Sequence, residues 1–320
     1  MKLLLRPFQA AFSFLKKIWS DRQGRIGLIV VAVLALTAIF APLLAPYNPY
    51  DVTMRADKGL APSAAHLLGT SITTGQDVFS MLIYGTRVSL CVGLITGICI
   101  AFLGSILGVA AGYLGGAFDM IVMRLVDIMM VIPTLPLTIL ITNVFGKSYV
   151  VIVFTFVLFG WSGLARTIRS QVLQLKNTDY VRAAELSGAG RWYVMWHHIL
   201  PAVSNLVVMS TALTSAGIMI AEAGLSFLGL GNPTAISWGK MLADAQSGGS
   251  MLFGQWWAIL APGIGIFLAV FSFMRIGLAI EGILNPRMVK QSGARILLKH
   301  MHGRYLDEVL ASMEDPAHEE

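Results

Sequence analysis

Charge is scarce in this sequence: only 12% of its 320 residues are Asp, Glu, Lys or Arg, about half the share of an ordinary soluble domain. With 56% apolar residues and a mean hydropathy of +0.73, that balance excludes a water-soluble globule and makes the bilayer the solvent for most of the chain. Cysteine is nearly missing. Cys91 and Cys99 fall in one apolar run, two helical turns apart, too far for a mutual disulfide within a straight helix. No Pro/Ser-rich linker, low-complexity tract or internal repeat divides the chain, which reads as one domain with tails. The phosphate-cradling G-x-x-x-x-G-K-[ST] pattern is lacking too: Gly146, Lys147 and Ser148 imitate its end, but Ile141 stands in place of its first glycine. His197 and His198 are adjacent, so they point about 100° apart on a helix, and no H-E-x-x-H spacing occurs. They read as capping or interfacial residues, and neither a catalytic residue nor a metal site is expected.

What is present is a series of six apolar runs, each near the 20 or so residues that a spanning helix needs. They cover about 27–46, 88–111, 125–145, 148–165, 199–221 and 256–274, and they predict an all-α, polytopic membrane protein. With the N-terminus inside, 18 of the 23 Lys and Arg residues fall on inner segments and five on outer ones, which places both termini in the cytoplasm. The net charge of +6 and pI near 9.4 are therefore read as topology, with no nucleic-acid partner. The first run is too long for a signal-peptide core, and Pro46 follows Ala45, the one plausible cleavage point, so it reads as an uncleaved anchor. The expected organisation is a cytoplasmic segment over 1–26, a membrane domain over 27–287 and a cytoplasmic tail over 288–320.

Several residues inside the runs call for comment. Gly93 and Gly97, then Gly104, Gly108 and Gly112, form a small-residue stripe that permits close helix approach, chiefly within the chain. Pro133 and Pro136 should break the third run, and such breaks often line a pathway. Asp127 lies one helical turn beyond Arg124 and is expected to pair with it as a structural ion pair. Glu222 sits near a span end, where it can reach outward to headgroups or water.

Between the fourth and fifth runs lies NTDYVRAAELSGAGRWYVMWHHILP, Asn177 to Pro201. It is too polar to span yet rich in helix formers. It predicts two short helices: Tyr180 to Leu186, with Asn177, Thr178 and Asp179 as cap candidates and Gly188 as its turn, then Arg191 to His198. Ala183 and Ala184 should leave a bare surface for another protein. Residue chemistry alone leaves an ordinary interfacial helix pair equally open.

The segment resembles the cytoplasmic signature loop of binding-protein-dependent ABC importer permeases, in which three residues separate an alanine pair from a glycine and a leucine-proline pair follows. Ala183, Ala184, Gly188, Leu200 and Pro201 fall on its positions, and Arg182 stands where many members carry an acid. From about Gly27 to Arg287 the chain resembles the dipeptide and oligopeptide permease family in its shorter-loop, second-permease type. The likeness rests on FAPLLAPYNPYD (Phe40 to Asp51), LGTSITTGQDVFSMLIYGTRVSL (Leu68 to Leu90), DMIVMRLVDIMMVIP (Asp119 to Pro133), EAGLSFLGLG (Glu222 to Gly231), SWGKML (Ser237 to Leu242), Pro262, Gly263 and ILNPR (Ile283 to Arg287). The resemblance implies a transport subunit, not an enzyme, in a bacterial or archaeal cell (inner) membrane. It implies a pore shared with a second permease, two cytoplasmic ATPase subunits that hold ATP and magnesium, and an extracellular or periplasmic binding protein that delivers peptides. Tyr180, Arg182, Ala183, Ala184, Gly188, Ala189, Leu200 and Pro201 would couple to the ATPase, and this chain itself would bind no cofactor. The alternatives are the same architecture carrying an oligosaccharide or metal chelate, or an ion-coupled secondary transporter, which usually holds more buried ionisable groups.

Overall fold

The computed structural model describes residues 15–51 and 58–284. Most of the expected N-terminal segment, Arg55, Arg287 and the 288–320 tail lie outside the described residues. Hydrocarbon offers no partner to a backbone N–H or C=O, so an apolar run that enters it must satisfy its own peptide groups. The described residues do so as helices: α1 Arg22–Ile39, α2 Ala41–Leu44, α3 Val78–Leu114, α4 Gly116–Val131, α5 Thr134–Phe145, α6 Tyr149–Leu175, α7 Asp179–Leu186, α8 Arg191–Val194, α9 Leu200–Phe227, α10 Trp238–Ser247 and α11 Trp257–Leu284. A π-helical turn, Met195–Ile199, joins α8 to α9. Four starts are fixed by side-chain caps, with Asp21, Asp77, Ser148 and Ser237 accepting from the backbone N–H groups of Gly24, Ser80, Val150 and Lys240.

Five helical stretches are long and apolar enough to cross a membrane: α1, α3, α6, α9 with its lead-in from Arg191, and α11. α4 and α5 pass the same test only together, bent by 82°, and taken as one broken span they bring the count to six. The break has a local cause. Pro133 pushes the residue before it out of the helical region, and Ile132 is extended at φ −78°, ψ 121°. Pro136 falls in the first turn of α5, where a missing N–H is harmless, so Pro133 alone makes the bend.

The helices overrun the apolar runs because the polar groups at their ends find partners. α3 begins at Val78 rather than Val88, carrying Arg87, whose Nε donates to the Ala38 carbonyl at 2.5 Å and whose Nη2 donates to that of Ile39 at 3.0 Å. Those carbonyls belong to the last turn of α1, which has no intrahelical donors left for them. α1 itself stops at Ile39, ahead of the expected Pro46, and Pro42 opens the short α2. α6 runs on to Leu175, past Arg166 and Arg169, both of which pair with acids on α4.

The glycine stripe of α3 packs against two different neighbours. Gly93 and Gly97 face Met219 and Ser215 of α9, while Gly104, Gly108 and Gly112 lie against Trp161 to Val172 of α6. A methyl group added at Gly108 would stand 2.6 Å from the Ala165 carbonyl oxygen. The stripe therefore serves packing within the chain, where close backbone approach supplies the dispersion contacts that hold helices together in lipid. Apolar clusters mark the two ends of α3. One gathers Val78, Met81, Leu90, Met219, Trp238 and Phe273; the other gathers Val109, Ile168, Val172, Val181, Val194 and Ile199.

Candidate functional site

At the second of these ends the chain leaves α6, turns, and lays α7 across the helix termini. The turn is closed from α6: the Lys176 N–H donates to Val172 at 2.9 Å, the Asn177 side chain to Leu173 at 3.1 Å and the Thr178 hydroxyl to Leu175 at 2.6 Å. Thr178 is the N-cap of α7 but makes no side-chain cap; the Asp179 charge in the first turn complements the helix dipole. Val181 is fully buried and seats α7 on Ile168, Val172 and Val194. At its far end the Gly188 N–H donates to Glu185 and the Ala189 N–H to Ala184, at 3.0 and 3.1 Å. Gly188 adopts φ +84°. This is a Schellman cap, which needs a left-handed residue at that position. No atom lies within 4 Å of the place a Gly188 side chain would start, so backbone conformation and not crowding calls for glycine.

The alanine pair divides. Ala183 is exposed, whereas Ala184 is half-buried and packs into the Val181 cluster together with Ala189. The bare surface expected from both alanines thus comes from Ala183 alone, because α7 turns its Val181 and Ala184 side inward. Large apolar side chains are exposed on the same segment: Leu186 of α7 at 89%, and Trp192 and Trp196 farther along the chain at 67% and 52%. Arg182 and Pro201 are exposed as well, and Leu200 is half-buried against the cluster.

Sequence reasoning missed an aromatic cluster that joins the two short helices. The Tyr193 ring stacks on His197 with centroids 4.2 Å apart, and His198 lies between Tyr193 at 5.9 Å and Tyr180 at 6.3 Å. The π turn supplies the geometry. Pro201 has no N–H, and the wider turn just before it accommodates the ring within an otherwise continuous stretch from Arg191 to Phe227. The Tyr113 hydroxyl, at the end of α3, donates to Glu185 of α7 at 2.6 Å.

The charges on α4 are placed differently from expectation. Asp127 pairs with Arg166 of α6, not with Arg124, which is exposed. The helix-surface spacing allowed the nearer partner, but α4 packs on α6 and turns Asp127 toward it. A second pair went unread. Arg169 donates from Nε and Nη2 to both oxygens of Asp119, each at 2.6 Å, the bidentate geometry in which guanidinium and carboxylate bind most strongly.

Glu222 also departs from expectation, since it is fully buried and does not reach water or headgroups. Its Oε1 accepts from the Ser226 hydroxyl at 2.7 Å, its Oε2 has no partner, and Ser89, Ser237 and the Tyr149 ring hydroxyl face the same site. The reason is the neighbouring α10. Trp238 is 1% exposed and enters between α3 and α11, meeting Gly85 on one side and Gly265 on the other, while its indole N–H donates to the Leu82 carbonyl at 3.1 Å. This wedge closes α10 over the end of α9 and seals Glu222 beneath it. Beside it the loop that precedes α3 is tied to the start of that helix: His66 Nδ1 lies 3.0 Å from Asp77 Oδ1, Tyr47 stacks on His66 at 4.9 Å, and Ser80 donates to the other Asp77 oxygen at 2.7 Å. Gln76, in the same loop, donates to the Pro49 carbonyl. Among the described residues no group of three or more His, Cys, Asp and Glu is arranged to hold a metal.

Comparison with known proteins bears on this arrangement directly. Residues 104–290, the stretch that holds α7, match the family described as the binding-protein-dependent transport system inner membrane component, and residues 13–62 match the N-terminal TM domain of oligopeptide transport permease C. The dipeptide transport system permease protein DppC of Bacillus subtilis is 34% identical over 281 residues, 88% of this chain and 86% of its own length. The oligopeptide transport system permease protein OppC of the same organism is 34% identical over 272 residues, 85% of this chain and 88% of that protein. The nickel transport system permease protein NikC of Escherichia coli is 35% identical over 280 residues, 87% and 98% of the two chains. With more than half of its length matched by one family, and with a relative 34% identical over 88% of the chain, this chain belongs to the inner membrane components of binding-protein-dependent transport systems.

Proposed function

We propose that this chain is one of two permease subunits of an ATP-driven importer and that its cargo is peptides. The observation that carries the proposal is the α7 segment, a capped helix packed through Val181 against α6 that leaves Ala183 and Leu186 exposed, followed by exposed Trp192 and Trp196. Exposed large apolar side chains on one short segment suit a protein partner. In this reading the partner is one of two ATPase subunits, which hold ATP and magnesium and carry out the hydrolysis. The α7 end faces the cytoplasm with both termini, and the loops beside Trp238 and His66 receive the external binding protein. Nucleotide-driven closure displaces α7, and Val181 and the Tyr113–Glu185 hydrogen bond pass that displacement to α6 and α3. Closure can drive the change only through contacts that differ between the two states. The peptide cargo rests on the names of the DppC and OppC relatives. The NikC relative, equally similar, favours a second reading in which a metal complex is carried.

Purification of the chain from native membranes in mild detergent should recover a second permease and ATPase chains with vanadate-sensitive hydrolysis. Uptake of a radiolabelled dipeptide should disappear with Gly188→Val, which puts a branched side chain at a left-handed backbone position, and with Ala183→Trp, which crowds the exposed surface, while both variants still insert. The bulky test belongs at Ala183, because at Ala184 it would disturb the core. Normal uptake by both variants, or a chain that never co-purifies with an ATPase, would remove the reading; nickel uptake in place of dipeptide uptake would move it to the second cargo.

A further inference from the structure

Where α3 and α6 end against α7 and α8, a cavity of about 510 Å³ opens. Its walls carry three cations, Lys176, Arg182 and Arg191, with Tyr113 and Asn177 beside them and one carboxylate, Glu185. That carboxylate already accepts a hydrogen bond from Tyr113. Lys176 Nζ lies 3.4 Å from the Gly112 carbonyl, and none of the three cations is in an ion pair among the described residues. Arg166 and Arg169, farther back along α6, each have an aspartate. The cavity therefore gathers positive charge that the fold leaves unmatched.

Its position indicates where a matching anion comes from. α3 and α6 both pass the length and apolarity test for spans, and the cavity lies at their shared end, where Tyr113 and Leu114 follow the apolar run of α3 by two to three residues, within reach of a leaflet's headgroups. On α7, Glu185 flanks one side of the buried Val181 and Ala184 side, Tyr180 and Ser187 flank the other, and Arg182 stands between Glu185 and Leu186. Ala183 and Leu186 lie on the outward face between those flanks. The cavity thus opens beside the surface assigned above to the ATPase, with Arg182 and Ala189 on the border between the two.

We propose that this cavity binds a phosphate-bearing anion, the headgroup of an anionic phospholipid in the leaflet where α3 and α6 end. Arg182 and Arg191 present planar forks suited to phosphate oxygens, Lys176 adds a point charge, and the Asn177 amide and Tyr113 edge complete the rim. The proposal rests on α3 and α6 being spans and does not depend on the cargo or on an ATPase, so it can fail while the transport reading stands, and the reverse.

The test takes the full-length chain in a neutral detergent, adds phosphatidylglycerol or phosphatidylcholine, and counts retained lipid by native mass spectrometry, with inorganic phosphate as the soluble probe. One phosphatidylglycerol should be retained, and no phosphatidylcholine. Lys176→Gln/Arg191→Gln should weaken retention about thirtyfold, the effect of removing two cations beside an anionic headgroup. Arg191→Lys, which keeps the charge, should hold the lipid, and Lys147→Gln/Lys240→Gln, at the opposite end of the molecule, should leave it unchanged. If the double variant does not fold, Arg191→Gln alone, at an exposed side chain, should still show about a fivefold loss. Equal retention of both lipids, or unaltered retention by the charge-neutralised variants, overturns the site. Displacement of the lipid by millimolar phosphate that itself binds saturably overturns the lipid source and assigns the cavity to a soluble phosphate.

Discussion

Gly108→Ala isolates what close helix approach contributes to this membrane domain. The new methyl carbon would lie 2.6 Å from the Ala165 carbonyl oxygen, and an ordinary contact begins near 3.4 Å, so α3 and α6 must part by about 0.8 Å or bend locally. The oxygen is backbone and cannot rotate away. Overpacking of this kind costs about 1–3 kcal/mol, but alanine also regains up to about 1 kcal/mol of helix propensity. Gly163→Ala on α6 removes that ambiguity, because nothing lies within 4 Å of a side chain there, and the propensity gain is common to both variants. Their difference is therefore the packing cost alone. At about 2–4 °C per kcal/mol for a chain of this general size, Gly108→Ala should melt about 2–12 °C below Gly163→Ala when purified full-length proteins are heated in the same detergent and soluble, monodisperse protein is followed by size exclusion. Coincident melting of the two would refute the idea that the α3–α6 approach limits stability.

Other expectations follow from the ion pair and the buried polar groups. Asp119→Asn should cost about 1.5–3 kcal/mol by weakening a charge-assisted pair, and the exchange Asp119→Arg/Arg169→Asp should recover part of it in a double-mutant cycle; no coupling in the cycle would deny the pair any role. Glu222→Gln keeps an acceptor for Ser226, whereas Glu222→Leu strands the surrounding hydroxyls and should cost about 1–3 kcal/mol more, read as melting and as recovery of the assembled complex. Equal behaviour of the two would show that the carboxyl oxygen is not what holds α9 to α10. Burial raises the Asp244 carboxyl above its ordinary value of 3.8, against the opposing pull of Lys240. The folded chain therefore holds that proton more tightly than the unfolded one, and stability falls as pH rises from just above 3.8 through the folded value. A melting series from pH 4 to 8 should show that decline, and Asp244→Asn should flatten it; an unchanged slope in the variant would assign the decline to other groups.

Features set by neighbouring residues could be read directly from the sequence. An apolar run must become a helix in hydrocarbon, Pro133 disrupts the residue before it, and Gly188 takes up a conformation that other residues resist, so the spans, the bend and the end of α7 were all legible. What escaped was rotation about each helix axis, which packing fixes and length does not. Asp127 had Arg124 three positions away and chose Arg166. Glu222 was near a span end, and only the distant Trp238 explains why it faces inward. Ala183 and Ala184 are adjacent, so a helix buried on one side necessarily parts them. One signal was available: two acids on α4 and two arginines on α6, all within weakly polar surroundings, are more economically placed against each other than against lipid. The tyrosine and histidine cluster and the cationic cavity left no such trace, because their members come from three or four elements.

The unbroken run of α3 has a mechanical consequence. At 37 residues it is about 55 Å long, far more than the roughly 30 Å of a hydrocarbon core, and it contains no proline. One tip is gripped at Asp77 by the His66 loop, the other touches α7 through Tyr113. A single stiff strut thus reaches from one side of the membrane to the other without a joint, and a load applied to its tip at Tyr113 must arrive at the His66 loop as tilt, slide or roll of the whole rod.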